Sequence, residues 1–282
     1  MPDPLHPEAF RQLVDDALAE DVGAGDVTTR AIVPADVRGT GVFVTKAASV
    51  VAGLDVARDV FMRIDPEVVW QPAHADGDVC MPGDVLATVQ GRAASLLTAE
   101  RTALNFLQYL SGIATLTREF VAAAGGRIQI LDTRKTTPGL RALAKYAVRC
   151  GGGVNHRTGL YDGVLIKDNH IRIAGGIAEA VRRVRDAGIT LPIEVEAQSE
   201  AEVDDAIAAG VDTIMLDNLD DDAMRRALAA IGGRARVEIS GGITLSRVRA
   251  IAGLGADCVS VGALTHSSHA ADISLEIETG PS

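Results

Sequence analysis

Aromatic residues make up only 3% of the 282-residue sequence, and acidic residues outnumber basic ones, so that the formal net charge is -11. A core with so few aromatic rings must be filled by Val, Ile, Leu and Ala, the usual filling of parallel sheets and barrels. The negative charge disfavours broad binding to nucleic acid or to an anionic membrane, because both need a positive face. A small basic pocket remains compatible with this balance.

Cysteines and long apolar runs are also few. The three cysteines, Cys80, Cys150 and Cys258, lie far apart without CxxC spacing, which favours a reducing compartment and no disulfide framework. The first ten residues, MPDPLHPEAF, show neither a basic nor an apolar segment of signal-peptide type. No run of about 18 apolar residues occurs. We expect a cytoplasmic protein that does not span a membrane.

One stretch, residues 130–170, reverses the acidic balance. Its basic members include Arg134, Lys135, Arg141, Lys145, Arg149, His156, Arg157 and Lys167. Arg134 and Lys135 follow, after two residues, a mostly apolar run at 128–131 that is typical of a strand. Cations gathered at strand ends in an acidic protein predict a binding site for an anion.

The first ~90 residues predict a small α+β domain, because helix and strand alternate there in short pieces. Apolar spacing predicts helices over 7–20 and 54–64. Runs rich in β-branched residues predict strands within 39–53 and 67–89. We interpret 25–34 as a loop.

A long helical pattern, from residue 93 to residue 124, joins the two halves of the chain. Ser111 and Gly112 predict a bend or a break within it. Arg101 also lies in this pattern, which by itself indicates a solvated helix residue paired with a neighbour. Upstream, residues 77–91 faintly resemble the turns of a biotinyl or lipoyl carrier, but they lack the lysine that such carriers modify.

After residue 125 the pattern becomes a repeat of apolar strand, polar strand end and helix. The strand ends fall at Asp132, Lys167, Glu196, Asp217, Ser240 and Gly262. Such a series predicts a parallel sheet with right-handed crossovers. Polar residues share one face of a strand, as Glu194 and Glu196 do opposite Ile193 and Val195, and this favours closure into a barrel with a polar interior.

Acidic residues on those faces would share a confined space and must be matched by cations, protons or a metal. They are Glu194, Glu196, Asp217 and Glu238, and the neighbouring cations are Arg134, Lys135 and Lys167. Glu196 and Asp217 carry the hard oxygen ligands that suit Mg²⁺ shared with a substrate phosphate. The turns Ser240-Gly241-Gly242 and Gly262-Ala263 could direct backbone N–H groups at a phosphate.

Six blocks of sequence together resemble one family. They are AERTALNFLQYLSGIAT at 99–115, DTRKTTPGLRALAKYAVRCGGGVNHRTGLYDGVLIKDNH at 132–170, IEVEA at 193–197, TIMLDN at 213–218, EISGGI at 238–243 and VGALTHS at 261–267. On these blocks the chain resembles the quinolinate phosphoribosyltransferases, over nearly its full length. The resemblance implies transfer of a phosphoribosyl group from phosphoribosyl pyrophosphate to quinolinate, with decarboxylation.

The resemblance also implies the architecture. An N-terminal α+β sandwich would cover residues 1–110, and an incomplete seven-stranded α/β barrel would cover 111–269. The tail from about 270 to 282 would pack against the sandwich. The implied assembly is a homodimer with shared active sites, in which one subunit's N-terminal domain caps the other's barrel and Arg101 reaches the partner's site. Further assembly of these dimers is left open.

Residue roles follow from the same resemblance. Quinolinate would be held by Arg101, Arg134, His156, Arg157 and Lys167. The Mg²⁺-pyrophosphate and ribose would be held by Lys135, Lys167, Glu196 and Asp217, which are also the residues implied to be catalytic. Glu196 and Asp217 would bind the Mg²⁺ directly or through water. The 5-phosphate would lie against Ser240, Gly241, Gly242 and Gly262, and Thr133 would join the substrate-binding set.

Three alternatives remain at this point. A related group of molybdenum-operon proteins shares the fold and the DTRKT motif, with a different substrate. A class I aldolase-like barrel would use Lys167 to form a Schiff base, although neighbouring carboxylates favour the charged lysine. A non-enzymatic binding or scaffold protein would leave the cations and carboxylates at the strand ends unexplained.

Overall fold

The structure, a computed structural model, describes residues 3–279. These residues form two compact units that are not contiguous in sequence. The first comprises 3–118, 136–152 and 264–279, and the second comprises 119–135 and 153–263. The domain boundary expected after residue 110 stays a prediction, and residues 1–2 and 280–282 of the predicted domains lie outside the described residues.

The helices are α1 (Arg11–Val22), α2 (Val27–Ile32), α3 (Leu54–Ile64), α4 (Ala93–Ala124), α5 (Arg141–Cys150), α6 (Asp168–Ala174), α7 (Ile177–Asp186), α8 (Glu200–Ala209), α9 (Asp221–Ile231), α10 (Leu245–Ile251) and α11 (Ala263–His266), with a 3-10 turn at Pro7–Ala9. The strands are β1 (Arg38–Thr45), β2 (Ser49–Val50), β3 (Val69–Pro72), β4 (Val79–Cys80), β5 (Val85–Arg92), β6 (Gln129–Leu131), β7 (Val164–Ile166), β8 (Ile193–Ala197), β9 (Thr213–Asp217), β10 (Arg236–Ser240), β11 (Cys258–Ser260) and β12 (Ile273–Thr279). No helix in this part of the chain is both long enough and apolar enough to cross a membrane.

The first unit is built on an antiparallel sheet in the order β12-β1-β5-β3, beside a small pair of strands, β2 and β4. Helix α3 buries Val56, Val60 and Phe61 along one face, as the predicted spacing over 54–64 requires. The ring of Phe61 lies 5.9 Å from that of Phe43 on β1, and Trp70 lies 5.4 Å from Phe43. Three of the nine aromatic side chains therefore pack together in this core.

Helix α2 corrects the interpretation of residues 25–34 as a loop. The carboxylate of Asp26 accepts a hydrogen bond from the Thr29 backbone N–H at 2.9 Å, which caps the first turn. With this cap, Val27–Ile32 forms a helix of six residues. The prediction was wrong because so short a helix has no room for an apolar period.

Helix α4 is continuous, so the break predicted as one possibility at Ser111 and Gly112 was wrong, and the bend stays a prediction. The Ser111 hydroxyl accepts a hydrogen bond from the Ala52 backbone N–H at 3.0 Å. A Cβ atom at Gly112 would lie 2.0 Å from the backbone oxygen of His269. Both small residues therefore permit close approach of neighbouring backbone, and neither interrupts the helix.

The second unit holds a six-stranded parallel sheet in the order β6-β11-β10-β9-β8-β7. Next to β6, the Val154 backbone N–H donates to the Ile130 oxygen at 2.8 Å, and the Asp132 N–H donates to the Val154 oxygen at 3.2 Å. The seventh position of the predicted incomplete barrel is thus a single bridged residue. The α/β class with an additional N-terminal α+β unit is confirmed.

The crossover helices begin and end at residues that cap them. The N-caps of α8, α9 and α10 are Ser199, Asp220 and Thr244, whose side chains each accept a backbone N–H three residues on. Helices α8 and α9 end at Gly210 and Gly232 in the left-handed conformation. These signals keep the loops at the carboxyl ends of the strands short and the strand ends fixed.

Candidate active site

The polar residues of β8, β9 and β10 point to the interior of the second unit, as the alternation predicted. In the parallel register, Glu194 lies opposite Thr213, and Glu238 opposite Met215. On the other face, Ile214 and Ile239 are fully buried beneath the helices. The interior is therefore lined with carboxylates, and its upper layer lies at the carboxyl ends of the strands, where catalysis takes place in barrel enzymes.

The upper layer joins a lysine to two carboxylates. Lys167, directly after β7, forms an ion pair with Oε2 of Glu196. The side-chain amide of Gln198 lies 3.5 Å from Oε1 of Glu196 and 3.3 Å from Oδ2 of Asp217. Lys167 keeps 46% of its side chain exposed, whereas Glu196 is nearly buried. The ammonium group can therefore contact a ligand while it remains paired.

The lower layer is a buried group of His156, Glu194 and Glu238. Nε2 of His156 lies 3.1 Å from Oε2 of Glu194 and 3.5 Å from Oε2 of Glu238. Nδ1 of the same ring accepts the Arg157 backbone N–H at 2.8 Å. Because Nδ1 is an acceptor, the ring proton lies on Nε2, and His156 donates to the carboxylates below it.

Glu238 is the most deeply buried carboxylate of this layer. Its burial and the charge of Glu194 raise the pKa of Glu238 to about 7, against smaller opposing effects of His156 and Ser260. One oxygen of each carboxylate, Oε1 of Glu194 and of Glu238, is buried without a hydrogen-bond partner. The two glutamates are therefore stabilised as a carboxylic acid beside a carboxylate, and not as two charges.

The guanidinium groups of Arg134 and Arg157, both in the second unit, interact electrostatically. Burial, and then the charge of Arg134, lowers the pKa of Arg157, while Glu194 acts in the opposite direction. One N–H of Arg157 donates to the Gly163 oxygen at 3.0 Å, and Nε of Arg134 is buried without a partner. Two cations that repel each other, one with an unsatisfied donor, favour the binding of an anion.

Asp132 fixes the segment that carries His156 and Arg157. This fully buried residue accepts the side-chain amide of Asn155 at 2.6 Å and the His156 backbone N–H at 2.8 Å. A carboxylate that holds two donors from one loop orients that loop. Sequence analysis placed Asp132 at a strand end without a role.

The turn after β10 contains two glycines in a conformation that favours glycine. Gly241 and Gly242 adopt φ values of +98° and +57°, which other residues rarely adopt. A Cβ atom at Gly242 would meet nothing within 4 Å, so the backbone there is open to a ligand. Gly262 follows β11 directly before α11. Elsewhere at the strand ends, the Thr133 hydroxyl accepts the Lys135 backbone N–H at 3.0 Å.

Most of the predicted site residues belong to the second unit. They are Thr133, Arg134, Lys135, His156, Arg157, Lys167, Glu196, Asp217, Ser240, Gly241, Gly242 and Gly262. Arg101 belongs to the first unit, where it is exposed on α4. Direct binding of a substrate carboxylate by His156 would require exchange of one of its two ring hydrogen bonds. The roles assigned to these residues by resemblance stay predictions.

Sequence reasoning missed the two amides of the upper layer, Gln198 and Asn218. The Asn218 side chain donates to Oδ2 of Asp217 at 2.8 Å, and Gln198 approaches the same oxygen. Both residues come directly after strands, which was the available signal. The donor set suits Mg²⁺, because Glu196 and Asp217 offer two hard carboxylates bridged by one amide at an open strand end.

Comparison with known proteins agrees with this geometry. Residues 26–111 match the family "Quinolinate phosphoribosyl transferase, N-terminal domain", and residues 113–276 match the corresponding C-terminal domain. The chain is 44% identical to "Probable nicotinate-nucleotide pyrophosphorylase [carboxylating]" of Bacillus subtilis, over 95% of this chain and 93% of that protein. It is 41% identical to "Quinolinate phosphoribosyltransferase [decarboxylating] 1b" of Nicotiana tabacum, over 98% and 85%.

Solved structures show the same fold. NadC from Streptococcus pyogenes superposes with a TM-score of 0.96 at 42% identity, covering 99% of this chain and 100% of that one. The nicotinate-nucleotide pyrophosphorylase from Francisella tularensis superposes with a TM-score of 0.94 at 39% identity, covering 98% of both chains.

Proposed function

Because the chain belongs to the quinolinate phosphoribosyltransferase family, we propose that it transfers the phosphoribosyl group of phosphoribosyl pyrophosphate to quinolinate. The products are nicotinate mononucleotide, CO₂ and pyrophosphate, and the reaction serves NAD synthesis. The word "carboxylating" in the names of some relatives describes this reaction in the reverse direction. The molybdenum-operon and aldolase-like alternatives are therefore set aside.

One observation carries the assignment of the quinolinate subsite: Arg134 and Arg157 lie close enough to repel each other, and Nε of Arg134 is unsatisfied. Quinolinate is a planar dianion, and planar guanidinium groups bind carboxylates through paired hydrogen bonds. We assign its two carboxylates to these arginines, with Lys167 at the edge of the subsite. His156 supports them from below, and its direct contact with quinolinate stays part of the proposal.

Lys135, Lys167, Glu196 and Asp217 form the proposed subsite for pyrophosphate and ribose. Glu196 and Asp217 are the proposed Mg²⁺ ligands, and the bound ion would neutralise the pyrophosphate leaving group. The lysines stabilise the same negative charge as the bond from C1 to the pyrophosphate oxygen breaks. The 5-phosphate lies at the open backbone of Gly242, beside Ser240, Gly241 and Gly262.

The two chemical steps then follow from charge. As pyrophosphate leaves, the ribosyl centre gains oxocarbenium character and the pyridine nitrogen attacks C1. The ring nitrogen becomes cationic, and this stabilises the electron pair left at C2 when the adjacent carboxylate departs as CO₂. A proton completes C2. No covalent bond to the protein forms at any step.

Assembly and location are also proposals. We assign the protein to the cytoplasm, and to a homodimer in which Arg101 of one subunit completes the other's site. The family resemblance of the block at 99–115 and the exposure of Arg101 on α4 support the shared site. Fractionation of cells and light scattering of the purified protein would test location and size.

The test of the function is incubation with phosphoribosyl pyrophosphate, Mg²⁺ and either quinolinate or nicotinate. We expect nicotinate mononucleotide and one equivalent of CO₂ from quinolinate, with loss of product when Mg²⁺ is chelated. We expect little product from nicotinate, because it lacks the 2-carboxylate and leaves part-buried cations without that partner. Equal turnover of both acids would contradict the decarboxylating assignment.

A further inference from the structure

Asn218, directly after β9, has an unusual backbone conformation. Among residues 3–279 it is the one non-glycine residue with a positive φ, at 57°. For residues other than glycine this conformation costs free energy, although asparagine tolerates it better than most. Such a conformation persists only where the surroundings enforce it, and it is often found at functional sites.

The contacts of Asn218 show what enforces its conformation. Its backbone N–H donates to the Ser240 oxygen at 3.1 Å, and its side-chain amide donates to Oδ2 of Asp217 at 2.8 Å. A Cβ atom at Gly241 would lie 2.1 Å from Oδ1 of Asn218. One side chain therefore lies against a carboxylate at the end of β9 and also against the glycine turn after β10.

We propose that Asn218 is a positioning residue that couples Asp217 to the turn at Gly241, and so holds the metal-pyrophosphate and 5-phosphate subsites in one fixed geometry. This inference rests on the proposed function, because it takes the two subsites from it. It adds a residue to which the family resemblance gave no role.

The hydrogen bonds to Asp217 explain how Asn218 couples the two subsites. Asn218 and Gln198 both direct amide N–H groups at Oδ2, at 2.8 and 3.3 Å. Two donors on one oxygen fix the rotation of the carboxylate and direct its other oxygen to a ligand. The side-chain oxygen of Asn218, Oδ1, occupies the space where a side chain at Gly241 would lie. Asparagine provides an amide donor for the contact with Asp217 and a compact side-chain oxygen for the close approach to Gly241.

Three substitutions distinguish the role of the Asn218 side-chain amide from that of its backbone conformation. Asn218→Gly keeps the positive φ without strain and removes the amide. Asn218→Ala removes the amide and adds strain. Asn218→Asp keeps the shape but replaces the donor by a carboxylate that repels Asp217. If the inference is right, the glycine variant folds normally and still loses function.

The first experiment measures magnesium pyrophosphate binding by calorimetry, together with KM for each substrate. We expect Asn218→Gly to weaken magnesium pyrophosphate binding about tenfold, because a hydrogen bond to a charged group is lost. KM for phosphoribosyl pyrophosphate should rise by a similar factor, and KM for quinolinate should change less than about twofold. Asn218→Asp should bind more weakly still. Binding by Asn218→Gly equal to that of the wild type would overturn the inference.

The second experiment is a double-mutant cycle with Gly241→Ala, read by urea unfolding. The alanine methyl group clashes with the Asn218 side chain, so Gly241→Ala should cost less stability in the Asn218→Gly background than in the wild type. Equal costs in both backgrounds would show that the Asn218 side chain does not contact the turn, and would overturn the coupling.

These readouts also separate the inference from the proposed function. If the wild type forms no nicotinate mononucleotide, the function fails, whereas binding and unfolding still decide the role of Asn218. If the wild type turns over quinolinate and the glycine variant retains its KM values and its binding, only the role of Asn218 fails.

Discussion

At the scale of single residues, the interior of the second unit contains a layer of cations and, below it, the carboxylates of Glu194 and Glu238. His156 contacts both layers and has a fixed tautomer, because Nδ1 accepts the Arg157 N–H and Nε2 faces Glu194 and Glu238. One added proton at Glu238 relieves the repulsion between the two glutamates. The layer below the proposed quinolinate subsite is therefore sensitive to pH at the carboxyl group of Glu238.

This gives a prediction for Glu238→Gln. The pKa of Glu238 is raised from an ordinary value of 4.5 to about 7. The stabilisation of the folded state by the proton on Glu238 is therefore full below a pH of about 4.5 and is lost as pH rises through about 7. Glutamine mimics the protonated acid and does not titrate. Between pH 5 and pH 8 the wild type should lose about 2 kcal/mol more unfolding free energy than the variant.

Urea unfolding at both pH values measures this difference. Glu278→Gln, at an exposed position on β12, is the matched control and should follow the wild type at both pH values. A constant gap between Glu238→Gln and the wild type across this range would show that Glu238 keeps one protonation state.

Sequence predicted the composition of this interior better than its contacts. The alternation of IEVEA and VEIS placed Glu194 and Glu238 on one face, because strand periodicity depends only on local geometry. The ring orientation of His156 and the positive φ of Asn218 could not be predicted in this way. Both depend on backbone groups brought close by the fold, at Arg157 and Ser240.

At the scale of elements, the crossover helices and strand ends were predictable, and two N-terminal features were not. Helix α3 begins and ends where the apolar spacing over 54–64 placed it, and strands β9 and β10 end at the predicted Asp217 and Ser240. The break in α4 was predicted from the intrinsic preferences of Ser111 and Gly112, which tertiary packing overrides. The helix at Val27–Ile32 depends on a single capping carboxylate.

Gly112→Ala tests why that glycine lies in α4. In an exposed helix interior the change would stabilise by about 1 kcal/mol. Here the new Cβ would lie 2.0 Å from the His269 oxygen, a backbone atom that cannot rotate away. We expect a net loss of about 2 kcal/mol in unfolding free energy, measured by urea unfolding.

The control lies in the same helix. Asn105→Ala also introduces alanine, but at an exposed position, and it should change stability by less than about 1 kcal/mol, in the favourable direction. Stabilisation by Gly112→Ala as well would mean that the segment at His269 gives way without cost, and that the glycine only lowers helix propensity.

At the scale of the whole molecule, we propose an active site that draws on two copies of the chain. The proposed quinolinate and phosphate subsites consist of residues of the second unit, whereas Arg101 is an exposed residue of the first. The resemblance assigns Arg101 to the partner's site. A residue that acts in trans has a signature that a cis residue lacks, because its loss can be complemented by another subunit.

We therefore expect Arg101→Ala and Lys135→Ala to be severely impaired alone and to recover activity when mixed. In a mixed dimer, one site receives both lesions and the other receives neither, so random exchange should restore about a quarter of the wild-type rate. Quinolinate turnover after subunit exchange by mild denaturation and dilution measures the recovery.

Lys135→Ala mixed with Lys167→Ala is the matched control, because both lesions lie in the second unit and each site of a mixed dimer retains one of them. Recovery in the first mixture alone supports a shared site. No recovery in either, with exchange verified by differently tagged subunits, would place Arg101 in the site of its own chain or outside any site.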